Sequence, residues 1–250
     1  MTGDTYVKDG VVYKETGPWT PSIRALLTHL ETAGFGGAPR IAGQGYTYLA
    51  GSSPHPHAWP DDVVGEVGSL LRDLHDATSD FIPGACAVWK RSWLRDLGGH
   101  DIVYGHGDTA PWNIVGPPLA FIDWEFAGPV DRLWELAHTV WLNAHLVDDD
   151  VADLQDLPDA TTRARHARAI VDGYGLPQDQ RRDLVDRLVD VAAHSARHEV
   201  AEHAVTPSTD EAVAADGYPV LWAIAWRARS ASWIARHRPQ LRRAICDQTV

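Results

Sequence analysis

His106-Gly107-Asp108-Thr109-Ala110-Pro111-Trp112-Asn113 is followed, ten residues beyond its asparagine, by the aspartate of Phe121-Ile122-Asp123-Trp124-Glu125. Between these strings lie two short apolar stretches, Asn113 to Val115 and Leu119 to Ile122. Gly116-Pro117-Pro118 separates them, so they read as two strands across a turn. Asp108 falls on the loop before the first strand, Asn113 where that loop ends, and Asp123 at the end of the second strand. Asp and Asn in loops often cap turns. An apolar run that delivers a carboxylate at its end is a less ordinary surface feature. Carboxylates and an amide oxygen are hard ligands suited to Mg²⁺, and a further Asp beside them can accept a proton from a hydroxyl. Phosphoryl transfer uses that combination: metal to neutralise phosphate charge and a base to orient the attacking group.

Upstream, Thr5 to Lys8 and Val11 to Glu15 read as two strands joined at Asp9-Gly10, a strong two-residue hairpin signal. Thr20-Pro21 marks a helix start, Ile23, Leu26, Leu27 and Leu30 have helical spacing, and Gly34 ends the run. Pro39 to Ile41 and Tyr46 to Leu49 read as two more strands. Gly51 to Pro60, rich in Ser, Pro and His, is the expected boundary between a small lobe, residues 1–51, and a larger one, residues 52–250. Asp61 to Ala77 is an amphipathic helix pattern, and a second helix is expected from Val88 to Leu97. Ile102 to Tyr104 is short and apolar, with two β-branched residues. After Asp131 the pattern is helical, with helices expected near Leu133 to Leu146, Ala160 to Tyr174, Pro177 to Ala204 and Val213 to Arg236.

The string His-x-Asp-x-x-x-x-Asn at His106 to Asn113, with Ile-Asp-Trp-Glu ten residues on, resembles the aminoglycoside phosphotransferase and choline kinase group within the protein-kinase-like fold. The resemblance extends from about Asp61 to Leu146, through Arg72-Asp73-Leu74-His75 and Gly128-Pro129-Val130-Asp131 to Leu136-Ala137. It implies an α+β, two-lobed fold with a reduced N-terminal β-lobe and a mostly helical C-terminal lobe. It implies that Asp108 is the base for an acceptor hydroxyl, and that Asn113 and Asp123 hold Mg²⁺. His106 and Asp131 are implied as supports of the catalytic loop, and Glu125 receives no metal role. Lys14 is implied as the lysine on the nucleotide's α- and β-phosphates, with Glu31 as its helix partner; Glu15 and His29 also lie near. Tyr48-Leu49-Ala50-Gly51 resembles the hinge, with Tyr48 and Leu49 meeting adenine through their backbone. The implied partners are ATP or GTP as donor and a small-molecule hydroxyl, aminoglycoside-like antibiotic or metabolite, as acceptor.

The chain departs from the pattern at its start: no Gly-rich phosphate-covering loop precedes Lys14. That departure supports a competing expectation, a kinase-fold binding or immunity protein that sequesters a toxic small molecule without chemistry. A protein kinase is the weaker expectation, because no activation-segment-length insertion follows Asp123. A net charge of −12 argues against nucleic acid as partner. No apolar run approaches the roughly 20 residues that span a bilayer, and the first residues lack the pattern of a secretion signal, so the expected location is cytoplasmic. Cys86 and Cys246 are too few and too far apart for a disulfide framework.

The remaining polar clusters have blander readings. His194 and His198 share a helical face with Glu202 nearby, and read as a solvated polar face. His138 and His145 read as satisfied core or pocket-rim groups, and Asp148-Asp149-Asp150 as a solvated turn. Trp19, Trp89, Trp93 and Trp141 are core by default, with some available to border an acceptor pocket.

Overall fold

The computed structural model describes residues 5–209 and 219–247. The chain folds in the α+β manner the sequence implies, with seven helices and three small sheets among the described residues. Strands β1 (Tyr6–Lys8) and β2 (Val11–Tyr13) form the expected hairpin around Asp9-Gly10. Strands β3 (Ile41–Ala42) and β4 (Gly45–Thr47) complete an antiparallel sheet of order β1-β2-β4-β3. Helix α1 (Thr20–Thr32) packs beside it, burying Ile23, Leu26, Leu27 and Leu30. Thr20 is the first helical residue, and its hydroxyl accepts from Gly17 N at 2.8 Å.

The chain then crosses to α2 (Val64–Ala77) through residues 51–60. This crossing is fastened to the central hairpin. Ser52 bridges Gly116, and the Ser53 hydroxyl donates to the Pro111 carbonyl at 2.7 Å. Gly51 stands at φ 140, and a Cβ there would meet Gly116 N at 2.6 Å, so only glycine fits this approach.

The helix expected from Val88 to Leu97 does not form. Only Arg95–Leu97 makes a 3-10 turn, and the residues before it are irregular. Trp89 and Trp93 have helical spacing, but they turn to different neighbours. Trp89 packs on Tyr104 at 5.4 Å, and Trp93 on His138 at 5.8 Å. Strand β5 (Ile102–Gly105) pairs antiparallel with β8 (Gly128–Asp131), a strand the sequence reading lacked. Between them sits the β6 (Ile114–Val115) and β7 (Ala120–Phe121) hairpin, shorter than the expected strands.

Helices α3 (Arg132–Asn143), α4 (Asp149–Leu154), α5 (Ala160–Tyr174), α6 (Arg181–Glu202) and α7 (Val220–Cys246) complete the fold. The first part of the helix expected from Val213, residues 213–218, lies outside the described residues. Asp148-Asp149-Asp150 is no solvated turn. Asp148 caps α4, and the three carboxylates take Arg163, Arg229 and Arg236, so they tie α4 to α5 and α7. One continuous core runs from Leu26 and Leu71 through Ile114, Phe121 and Leu136 to Trp233 and Leu241, so the central hairpin is packed on apolar side chains from both ends of the chain. Cys86 and Cys246 are free. Among the described residues no helix is long and apolar enough to cross a membrane.

Candidate active site

The loop between β5 and β6 owes its shape to helix α3. Glu135, Thr139 and Asn143 recur every fourth residue, so they form one polar stripe on a helix otherwise buried by Leu, Val and Trp. Glu135 accepts from Gly107 N at 2.6 Å and from His75 Nε2 at 2.7 Å. Thr139 meets the Thr109 hydroxyl at 2.6 Å, and Asn143 Nδ2 donates to the Thr109 carbonyl at 2.8 Å. Burial opposes ionisation of Glu135, but the hydrogen bonds and charge from His75 and the Gly107 N–H outweigh it and hold the carboxyl below its usual range. Gly107 stands at φ 79, and any Cβ there would collide with the Phe126 carbonyl.

His106 is fully buried and donates to the Ile122 carbonyl at 2.8 Å, while its other ring nitrogen accepts from Asp108 N at 3.3 Å. It thereby links the Asp108 loop to the strand that ends at Asp123. Asp131, expected as a brace of this loop, serves another segment. It caps α3 through Leu133 N and Trp134 N and receives His100 N and Asp101 N. The loop's brace is Glu135. Its sequence signal is the four-residue spacing of Glu135, Thr139 and Asn143 on an otherwise apolar helix.

Asp108 and Asn113 are joined directly. Asn113 Nδ2 donates to the Asp108 carboxylate at 2.9 Å and to its carbonyl at 3.0 Å. Burial, and then the charge of Asp123, push the Asp108 carboxyl up to about 6, with the Asn113 hydrogen bond opposing. Ile122 N donates to the Asn113 carbonyl at 2.9 Å, which sets Asp123 beside Asn113. Asp123 itself is left-handed, at φ 60 and ψ 63, a conformation Asp tolerates better than most residues and one that clusters at functional sites. Lys14, directly after β2, reaches across and meets Asp123 Oδ1 at 2.5 Å.

These side chains separate two cavities. The larger, about 780 Å³, is lined by Lys14, Tyr48, Leu49, Asn113 and Asp123 among others. The smaller, about 200 Å³, is lined by Asp108, Trp93, Trp141, Trp226, His198 and the Glu199–Arg227 ion pair among others. Trp112 borders both. His198 therefore does not belong to a solvated face; it stacks on Trp93 at 6.4 Å. His138 lines the smaller cavity too, and burial pushes its imidazole down to about 4, so it is neutral at neutral pH. His145 is buried, and burial pushes its imidazole down to about 4, with a hydrogen bond to the Asn143 backbone opposing.

Glu31 is not brought to Lys14. It is exposed and lies 3.8 Å from Arg40. The face of α1 turned to the larger cavity carries Trp19, Thr20, Ile23 and Leu27. Glu31, a helical turn beyond Leu27, is rotated about 40° further and clears the cavity. Glu15 lines the cavity, whereas His29 bonds the Ala77 carbonyl at 2.8 Å. Glu125, without a role in the sequence reading, pairs with Lys90 at 2.6 Å.

The implied divalent cation is tested by the donors present. The Asn113 amide nitrogen is committed to Asp108, which leaves its oxygen as the donor on the Asp123 side. Lys14 engages one carboxylate oxygen of Asp123. The second oxygen and the Asn113 amide oxygen are hard donors of the kind Mg²⁺ takes, so the donor chemistry fits.

No protein-family model matches the chain. Over 249 residues, 95% of this chain and 93% of the relative, it is 44% identical to the trifolitoxin immunity protein of Rhizobium leguminosarum bv. trifolii. The chain belongs to the trifolitoxin immunity protein family. This immunity-family chain also shares its fold with solved small-molecule kinases. It matches a microcompartment-associated aminopropanol kinase with TM-score 0.55 and 13% identity, over 95% of this chain and 85% of that one. It matches an amicoumacin kinase, solved with AMP-PNP and Ca²⁺, with TM-score 0.57 and 11% identity, over 95% and 84%. A choline/ethanolamine kinase family protein from Mesorhizobium loti gives TM-score 0.54 and 14% identity, over 97% and 90%. The kinase-like fold implied by His106 to Glu125 is thus the fold of this immunity-family chain.

Proposed function

We propose that this chain is an immunity phosphotransferase: it moves the γ-phosphoryl of ATP or GTP to a hydroxyl of a toxic small molecule. The observation that carries this reading is the position of Asp108, hydrogen-bonded to Asn113 and lining the smaller cavity, while Asn113 and Asp123 line the larger one. The larger cavity is of a size that suits a nucleotide. Tyr48 and Leu49 would border the base and Lys14 the phosphates. Residues 1–51 then serve as the nucleotide side, and residues 52–250 carry the catalytic loop and acceptor side. Asn113 and Asp123 would hold Mg²⁺, which when bound offsets charge on the phosphates. Asp108 takes the proton of the acceptor hydroxyl at its carboxylate. A carboxyl near 6 is ionised at neutral pH and is a stronger base than an ordinary aspartate. Location in the cytoplasm, where nucleoside triphosphates are made, completes the reading.

A second reading, sequestration without chemistry, is favoured by two observations. Lys14 engages Asp123 directly, and the β1–β2 connection is a two-residue turn with no covering loop. One experiment separates the two. A sensitive host expressing the parent or Asp108→Ala is challenged with trifolitoxin, the compound named for the relative, while purified protein is assayed for Mg-ATP binding by calorimetry. Phosphotransfer requires that protection be lost in the variant and that Mg-ATP bind the parent. Protection retained by the variant, with no binding at millimolar nucleotide, leaves sequestration.

A further inference from the structure

Lys90 has no part in the mechanism above, yet it stands in the same cavity. It lies on the irregular segment between α2 and β5. That segment is pinned to α1, where Val88 N donates to the Ser22 hydroxyl at 2.9 Å. The ammonium contacts Glu125 at 2.6 Å and sits over the rings of Trp19, at 5.1 Å, and Phe126, at 4.5 Å. Its side chain is 22% exposed and lines the larger cavity.

Charge shows why a second cation matters there. The described residues lining the larger cavity include three carboxylates, Glu15, Asp123 and Glu125, against two ammoniums, Lys14 and Lys90. Lys14 is already engaged with Asp123. A polyphosphate entering this net-negative space meets repulsion unless both cations turn to it. The small sheet offers little help, because its first connection is the two-residue turn Asp9-Gly10. A covering loop would bring backbone N–H groups to the phosphates, and among the described residues this two-residue turn is too short to do so. Lys90 is already oriented by Glu125 and two aromatic faces, so recruiting it sacrifices little side-chain freedom.

We infer that Lys90 is a second phosphate-holding residue of the nucleotide site, supplying from the segment after α2 the contact that a covering loop would otherwise supply. This rests on the reading of the larger cavity as a nucleotide site. Calorimetry with ATP, ADP and AMP, each with Mg²⁺, tests it on the parent, Lys90→Gln, Lys90→Arg, Glu125→Gln and the double variant Lys90→Gln/Glu125→Gln. Thermal melts check that each variant is folded. Lys90→Gln should weaken ATP by tenfold or more, ADP less, and AMP within twofold, and Lys90→Arg should recover most of the loss. The double variant should remain weak for ATP. Parent-like ATP affinity in Lys90→Gln overturns the inference alone. So does full recovery in the double variant, since Lys90 would then only mask Glu125. A parent that binds no nucleotide overturns the inference together with the reading of the cavity.

Discussion

The two walls of the larger cavity differ in how they are held. Residues 106–125 are held by two hydrogen bonds from α3, Glu135 to Gly107 and Asn143 to Thr109, and by an internal one from His106 to the Ile122 carbonyl. The opposite wall is a short sheet whose first strand is exposed and whose hairpin carries the stacked pair Tyr6–Tyr13 at its surface. Its link to the chemistry is the long side chain of Lys14. Asp108, Asn113 and Asp123, the proposed base and metal donors, are preorganised, whereas the proposed nucleotide side relies on individual side chains. That contrast locates the departure from the kinase pattern on the nucleotide side.

The sharpest way to break the comparison is kinetic. Asp108→Ala should reduce turnover by about a thousandfold or more while still giving a cooperative thermal melt. Lys14→Ala should act chiefly on nucleotide affinity. If the two variants show the same profile, the walls do not divide the work in this way. Stability gives the next test. Glu135→Ala removes a buried carboxylate from between His75 and the Gly107 N–H, and should cost about 3–5 kcal/mol in urea unfolding. Equal losses for Glu135→Ala and Tyr13→Ala would erase the contrast.

A pH series separates the base from its surroundings. The Asp108 carboxyl stands near 6 in the folded chain, against about 3.9 for a free aspartate. The folded state therefore binds the proton more tightly, and stability from this group is lost as pH rises towards 6. Turnover should rise with pH through about 6, since the base must be ionised. Asp108→Asn should gain about 1–2 kcal/mol at pH 8, a discounted share of the shift. That gain should vanish below about pH 4, where both forms are neutral. A variant less stable than the parent at pH 8 refutes the cost assigned to this charge. The smallest effect belongs to the exposed hairpin: Tyr13→Ala should cost under about 1 kcal/mol.

What the sequence disclosed was local. Asp9-Gly10 specifies a hairpin by itself, and Asp159 to Gly175 carries its own cap, periodicity and stop, so α5 was legible at both ends. His106 to Asp123 was legible because its spacing lies within twenty residues. The failures are non-local. Trp89 and Trp93 imitate helical spacing, but docking on separate partners draws them out of a helix. Strand β8 exists only because Ile102 to Gly105 pairs with it, and its Pro129 masks it as a loop. The Asp148 cluster reads as solvent-facing until Arg229 and Arg236 arrive from some eighty residues away. Glu135 carries a local signal, its four-residue spacing with Thr139 and Asn143, but the partners that give it its role, His75 and Gly107, lie on other elements.

The crossing at residues 51–53 carries one more consequence. Ser52 is latched to Gly116 and Ser53 to Pro111, and Gly51 is pressed against Gly116 N, so the crossing is buttoned to both ends of the central hairpin. A clamshell swing of the small sheet about this point must undo those fastenings first. Tyr48, which lines the larger cavity and is 52% exposed, lies five residues or fewer from these fastenings, so the rim it forms is tied to the central hairpin rather than to the small sheet alone.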